Sequence, residues 1–173
     1  WQAALSWKDI ERYKKKYPLP LILKGIATAE DARIAVEHGV DVIYVSNHGG
    51  RQLDHGLGAI DVLPEVVDAV SGRSLIAVDG GFSRGTDIIK GIALGADFVG
   101  IGRMLCYGLA AAGADGVIRM LELLEEEVKL ALGLLGANSY SQIEPTQLCS
   151  GPPVVDPGVV SAFPLLESDK FFY

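Results

Sequence analysis

Four short apolar runs, each ending in glycine or a polar side chain and each followed by helical spacing, constrain this chain more than any other feature. The first, PLILKG at 20–25, ends in Lys24-Gly25. A capping-box-like start at Thr28-Ala29-Glu30-Asp31 opens a helix through Ile34, Ala35 and Val36 that stops at Gly39. The second run is VDVIYVS at 40–46 and the third is SLIAVDGG at 74–81. Between them AIDVLPEVVDAV (59–70) predicts a helix with Asp61 as N-cap, Pro64 in the first turn and Gly72 past its end. GTDIIKGIAL (85–94) predicts a helix stopped by Gly95, ahead of the fourth run, ADFVGIGR at 96–103. A long helix is expected from about 115 to 135 on the stripe Val117, Leu121, Leu124, Val128, Leu132 and Leu135.

The order is therefore β-α-β-α-β-α-β-α. The strands are continuously apolar, as expected where helices cover a parallel sheet or barrel. HGVDVIYV (38–45) also matches LGADFVGI (94–101), a faint repeat about two βα units apart. A (β/α)8 barrel takes roughly 250 residues, and this chain has 173. Two architectures fit: a small doubly wound sheet, or the C-terminal half of a barrel. The strand ends favour the half barrel over residues 1–143, followed by a Pro/Gly-rich tail, 144–173, packed on the surface.

With 49% hydrophobic residues the chain can bury a large core, and with 21% charged residues it is not built for disorder. A net charge of -7 argues against a general nucleic-acid surface. The longest apolar runs are short and broken by glycine, so no membrane segment is expected. The start carries no signal-peptide h-region. Cys106 and Cys149 are too few for a disulfide framework, lack metal-ligand spacing and read as reduced, inert thiols, which points to a cytoplasmic location. The first residue is Trp, so a longer polypeptide is expected.

The four strand ends are Lys24-Gly25, Ser46-Asn47-His48-Gly49-Gly50-Arg51, Asp79-Gly80-Gly81 and Gly100-Ile101-Gly102-Arg103. In a parallel barrel all four converge on the face that carries active sites. The last two suit a phosphate cradle: glycines admit an anion to backbone N–H groups, a helix N-terminus adds its dipole, and Arg103 can bind bidentately. Such cradles follow barrel strands seven and eight, which makes these strands five to eight. Lys24 then brings positive charge across the mouth from the phosphate, His48 is a candidate general base, and Arg51 offers a planar fork for a carboxylate. Together these suggest a cofactor with a phosphate tail and an electron-accepting ring. His38, His55 and the acidic run at 122–127 are expected to be solvated, and Arg84 is read either as that or as a site residue.

LKG, VSNHGGRQLD, DGG followed by RGTD, and GIGR resemble, in consistent order, the C-terminal half of the FMN-dependent α-hydroxy acid dehydrogenase/oxidase family, which includes glycolate oxidase, lactate oxidase and monooxygenase, mandelate dehydrogenase and the flavin domain of flavocytochrome b2. The resemblance implies a TIM barrel, FMN as cofactor, and oxidation of an L-2-hydroxy acid to the 2-oxo acid. It implies that Lys24 contacts the flavin N1/C2 side, Ser46 touches FMN, His48 accepts a substrate proton and Arg51 binds the α-carboxylate. It implies that Asp79, Gly80 and Gly81 line the ribityl–phosphate region and that Gly102 and Arg103 hold the phosphate. The family has Arg-Arg before Gly-Thr-Asp; here Ser83 stands at the first position, keeping a hydrogen bond but losing a charge. The expected partners are a small 2-hydroxy acid, O2 as acceptor, the N-terminal half of the same polypeptide as a companion chain, and further copies in a tetramer. Alternatives are a dehydrogenase feeding a quinone or cytochrome, and a flavin or phosphate-binding barrel isomerase; the His-Gly-Gly-Arg pairing favours the hydroxy acid.

Overall fold

The computed structural model describes residues 4–53 and 55–151. Helices α1 (Trp7–Lys16), α2 (Ala29–Glu37), α3 (Ala59–Val70), α4 (Gly85–Ala93) and α5 (Arg103–Leu135) alternate after α1 with strands β1 (Ile22–Ile26), β2 (Val42–Val45), β3 (Leu75–Val78) and β4 (Phe98–Val99). All strand pairs are parallel, and the sheet order is β1-β2-β3-β4. A doubly wound sheet reverses its strand order at a switch point; this one does not. The α/β reading stands and the doubly wound alternative falls.

The repeat in the sequence has a physical meaning. Asp41 Oδ2 accepts the N–H of Leu21 at 2.8 Å, and Asp97 Oδ2 accepts the N–H of Ile76 at 2.7 Å. Each carboxylate, just ahead of its strand, ties itself to the entrance of the neighbouring strand. Burial alternates along β1 and β2, while β3 is buried from Ile76 to Val78. Ile43 and Val45 are fully buried, and with Ile76 and Val78 they pack beneath Ala32 and Ala35 of α2 and Val62, Leu63 and Val66 of α3. Sinking a side chain such as Leu63 from water stabilises by roughly 1.5–3 kcal/mol. The other face is open. The register aligns Ile22, Val42 and Leu75 in one row and Lys24, Tyr44, Ala77 and Phe98 in the next. Ile22, Leu75 and Phe98 keep 58%, 47% and 51% of their surface exposed.

Some elements differ from expectation. Helix α1, not among the expected elements, carries a short apolar stripe in which Trp7 and Ile10 pack on the core; a Ser6–Asp9 capping box opens it and Lys14, Lys15 and Lys16 complement its C-terminal dipole. It docks through Trp7, stacked on His38 at 5.6 Å, and through Lys14, paired with Asp41 at 2.8 Å. His38 is therefore a packing residue and also faces Glu11 at 3.2 Å. The N-cap of α3 is Gly58; Asp61 sits in the first turn. The long helix begins at Arg103 and breaks at Ala112 and Gly113, where the backbone leaves helical values. Its two legs fold back until the backbones of Gly108 and Gly116 touch, leaving no room for a side chain at either position. By length and composition alone α5 is long and apolar enough to cross a bilayer. The break and the acidic run at 122–127 make it a helical hairpin instead. Beyond it the chain returns across α4 and α5, burying Ile143 and partly burying Leu148 against Ile89, Ala93, Val128 and Ala131. The expected tail is described only as far as residue 151; from 152 onward it lies outside the described residues.

Candidate functional site

The site lies at the C-terminal ends of the strands, and Ser46 is its hub. Ser46 is the buried polar residue at the end of β2, 1% exposed. Its hydroxyl accepts from Lys24 Nζ at 2.7 Å and from the His48 N–H at 3.2 Å. Lys24 Nζ also pairs with Asp79 Oδ2 at 2.8 Å and lies 4.7 Å from the centroid of the Tyr44 ring. Three adjacent strand ends thus meet at one ammonium.

Local sequence makes this possible. Between Lys24 and Ile26 the register with β2 slips, and Gly25 takes φ 103°. Such bulges recur beside active sites and re-aim side chains. The vacated space holds the His48 ring: a Cβ on Gly25 would lie 2.9 Å from His48 Cε1. His48 itself has φ 56°, an uncommon conformation for a residue with a Cβ. Asn47 supports it by accepting the Gly49 N–H at 3.0 Å and donating to the Leu57 carbonyl at 3.1 Å. Arg51 follows on the surface, with no hydrogen bond or ion pair among the described residues. His55 also has positive φ and lies on the same loop.

Asp79 Oδ1 is buried without a hydrogen-bond partner among the described residues. A buried acceptor left unmade costs about 1–3 kcal/mol, so it marks a place for an incoming donor. Beside it Gly81 leaves open space above its Cα, as does Gly102 ahead of Arg103. The first N–H groups of α5 have no intrahelical acceptor. Hydroxyls at Asp79 and an anion at Gly102-Arg103 would therefore fit.

The corresponding end of α4 is already filled. Asp87 Oδ2 accepts from the N–H groups of Ser83 and Arg84 at 3.1 and 3.0 Å, and Glu127 Oε2 accepts from the Gly85 N–H at 2.6 Å. Arg84 Nε donates to Glu127 Oε1 at 2.8 Å. Arg84 and Gly85 together hold the Glu127 carboxyl below its usual range. Glu127 is thus a clamp between α4 and α5, the exception to the solvated face that Glu122, Glu125 and Glu126 keep. The Ser83 hydroxyl donates to the Gly81 carbonyl at 3.3 Å.

Lys24, Ser46, His48 and Asp79 are brought together, while Arg51 and Arg103 reach no partner among the described residues. Sequence reasoning missed Tyr44, Asn47 and the clearance at Gly25. For Tyr44 a signal existed: it is a lone phenol in an aliphatic strand, two residues before Ser46 and so on the same face.

The model of the FMN-dependent dehydrogenase family matches residues 1–150. The chain belongs to this family. It is 48% identical over 141 residues to the L-lactate oxidase of Nostoc sp., covering 82% of this chain and 39% of that protein. It is 50% identical over 143 residues to a peroxisomal (S)-2-hydroxyacid oxidase of Arabidopsis thaliana, covering 83% and 39%. A crystal structure of mandelate oxidase with 3,3-difluoro-2-hydroxy-3-phenylpropionic acid superimposes with a TM-score of 0.79 at 48% identity, over 82% of this chain and 43% of that one. The chain thus spans about two-fifths of the length of the relatives it matches. The family's cofactor is FMN, and the orphaned Asp79 oxygen with the open glycines beside it suits that group.

Proposed function

We propose that this chain is the C-terminal half of a (β/α)8 barrel, supplying strands five to eight, in an enzyme that oxidises an L-2-hydroxy acid to the 2-oxo acid with O2 as acceptor. The observation that carries the reading is the meeting of Lys24, Ser46, His48 and Asp79 over the ends of β1, β2 and β3. The exposed inner rows, with Ile22, Leu75 and Phe98, support the half barrel, because a closed barrel fills its interior with layers of such side chains. The N-terminal half of the same polypeptide would cover them, and the closed enzyme would assemble as a tetramer.

Bound FMN supplies the ring that accepts two electrons. Lys24 sets a positive charge against that ring, held by Ser46 and Asp79. Asp79, Gly80 and Gly81 receive the ribityl chain, and Gly102 and Arg103 take the phosphate. Ser83 contributes no charge there and Arg84 is turned to Glu127, so Arg103 is the principal cation of the cradle. Arg51 binds the substrate carboxylate with its planar fork. His48, fixed over Gly25, takes the substrate proton, and Asn47 keeps the loop in shape.

Anaerobic mixing of the full polypeptide with L-lactate, glycolate and L-mandelate tests this. Bleaching of the flavin band by one of them, with rapid return in air, is the expected result. Slow return in air would replace O2 with another acceptor, such as a quinone or cytochrome. Flavin that no hydroxy acid bleaches would overturn the roles of His48 and Arg51.

A further inference from the structure

Nothing in the chemistry of a hydroxy acid requires an aromatic residue beneath Lys24, yet Tyr44 is built into that position from three sides. On the inner face it stands in register between Lys24 on β1 and Ala77 on β3. The small Ala77 leaves room for its ring. Its hydroxyl reaches past β3 to the end of β4, where a side chain at Gly100 would overlap it. The ring is thus a bar across the sheet, fixed at its far end by backbone. Burial, with the Asp79 carboxylate nearby, pushes the phenol above its ordinary pKa of 10.0, so the ring stays neutral.

The Lys24 ammonium rests on the face of this bar, 4.7 Å from its centroid, while Ser46 Oγ and Asp79 Oδ2 hold it at 2.7 and 2.8 Å. A lysine head on a flexible four-carbon stem can pivot about one carboxylate. A π face on the remaining side attracts the cation and removes that freedom. An aliphatic residue would fill the same space and do neither.

We propose that Tyr44 is a positioning residue that seats the Lys24 ammonium and, through it, sets how strongly the site favours negative charge on the cofactor ring. This rests on the reading in which Lys24 meets the flavin. The ring carries the effect, and the hydroxyl lodges at Gly100 beside the Asp79 carboxylate.

The test is the two-electron midpoint potential of the flavin in the full-length holoenzyme. Tyr44→Leu should shift the balance toward oxidised flavin about tenfold, or about 30 mV for a two-electron couple. Tyr44→Phe, which keeps the ring, should stay within about twofold of the parent, as a cation–π origin requires. In a Lys24→Met background Tyr44→Leu should add nothing. An unchanged potential in Tyr44→Leu, or a shift that persists without Lys24, would overturn the proposal while leaving the hydroxy acid reading intact. A second readout needs no flavin: by NMR, ring-current-shifted Lys24 side-chain signals should be present in the parent and in Tyr44→Phe and lost in Tyr44→Leu. Their absence in the parent would overturn the clamp. Failure of every hydroxy acid to bleach the flavin would strike the catalytic reading alone.

Discussion

The two faces of the sheet have opposite characters. The outer face is a finished core, with Ile43, Val45, Ile76 and Val78 sealed under α2 and α3. The inner face mixes exposed Ile22, Leu75 and Phe98 with Lys24, Tyr44 and Asp79, and its polar groups gather at the strand ends. The outer face holds the chain together. The inner face leaves its apolar rows exposed and the Asp79 acceptor without a partner among the described residues.

The sharpest way to probe that contrast is at the rim of the inner face. His48→Gln should lower turnover about 10²–10⁴-fold, the usual worth of a general base, measured as the rate of anaerobic flavin reduction. The same change should leave thermal stability within about 0.5 kcal/mol, since His48 is exposed.

The outer face should respond in the reverse sense. Leu63→Ala, at a fully buried position, should cost about 2–5 kcal/mol in urea unfolding. Leu75→Ala should cost this chain under about 1 kcal/mol, because its side chain is half in water already. In the full polypeptide the gap between the two should narrow; an unchanged gap would mean that the inner face is not covered there.

A smaller effect is expected at the α4–α5 seam. A Cβ on Gly85 would lie 2.6 Å from the Val128 nitrogen, so Gly85→Ala should destabilise by about 1–3 kcal/mol through overpacking, read as a lowered melting temperature.

The smallest effect should come from Glu127→Gln, at most about 1 kcal/mol near neutrality for a partly exposed pair. Its signature is in the pH dependence. Because Arg84 and the Gly85 N–H lower the folded-state pKa, the carboxylate's contribution is present above its ordinary 4.5 and is lost as pH falls through the lowered value. Acid unfolding curves of the parent should show that loss, and the variant should be flatter over the same window.

What could be read from the residues alone follows a simple rule. The βα order, the helix stops at Gly39 and Gly95, and the polar strand ends depend on spacings of a few residues, so local chemistry dictates them. Helix α1 escaped notice because its apolar stripe, Trp7, Ile10 and Tyr13, is short and set among charged residues such as Lys8, Glu11, Arg12 and Lys14. The hairpin in α5 escaped notice because its Gly-rich turn sits inside a continuously helix-compatible stretch.

By itself the sequence determined that four parallel strands would end in lysine, serine–histidine, aspartate and glycine–arginine. Only the tertiary structure decided which of these touch. Lys24 meets Asp79, Tyr44 reaches Gly100, and Glu127 clamps Gly85 across separations of tens of residues. Such contacts are set by strand register and helix packing, which no local spacing encodes.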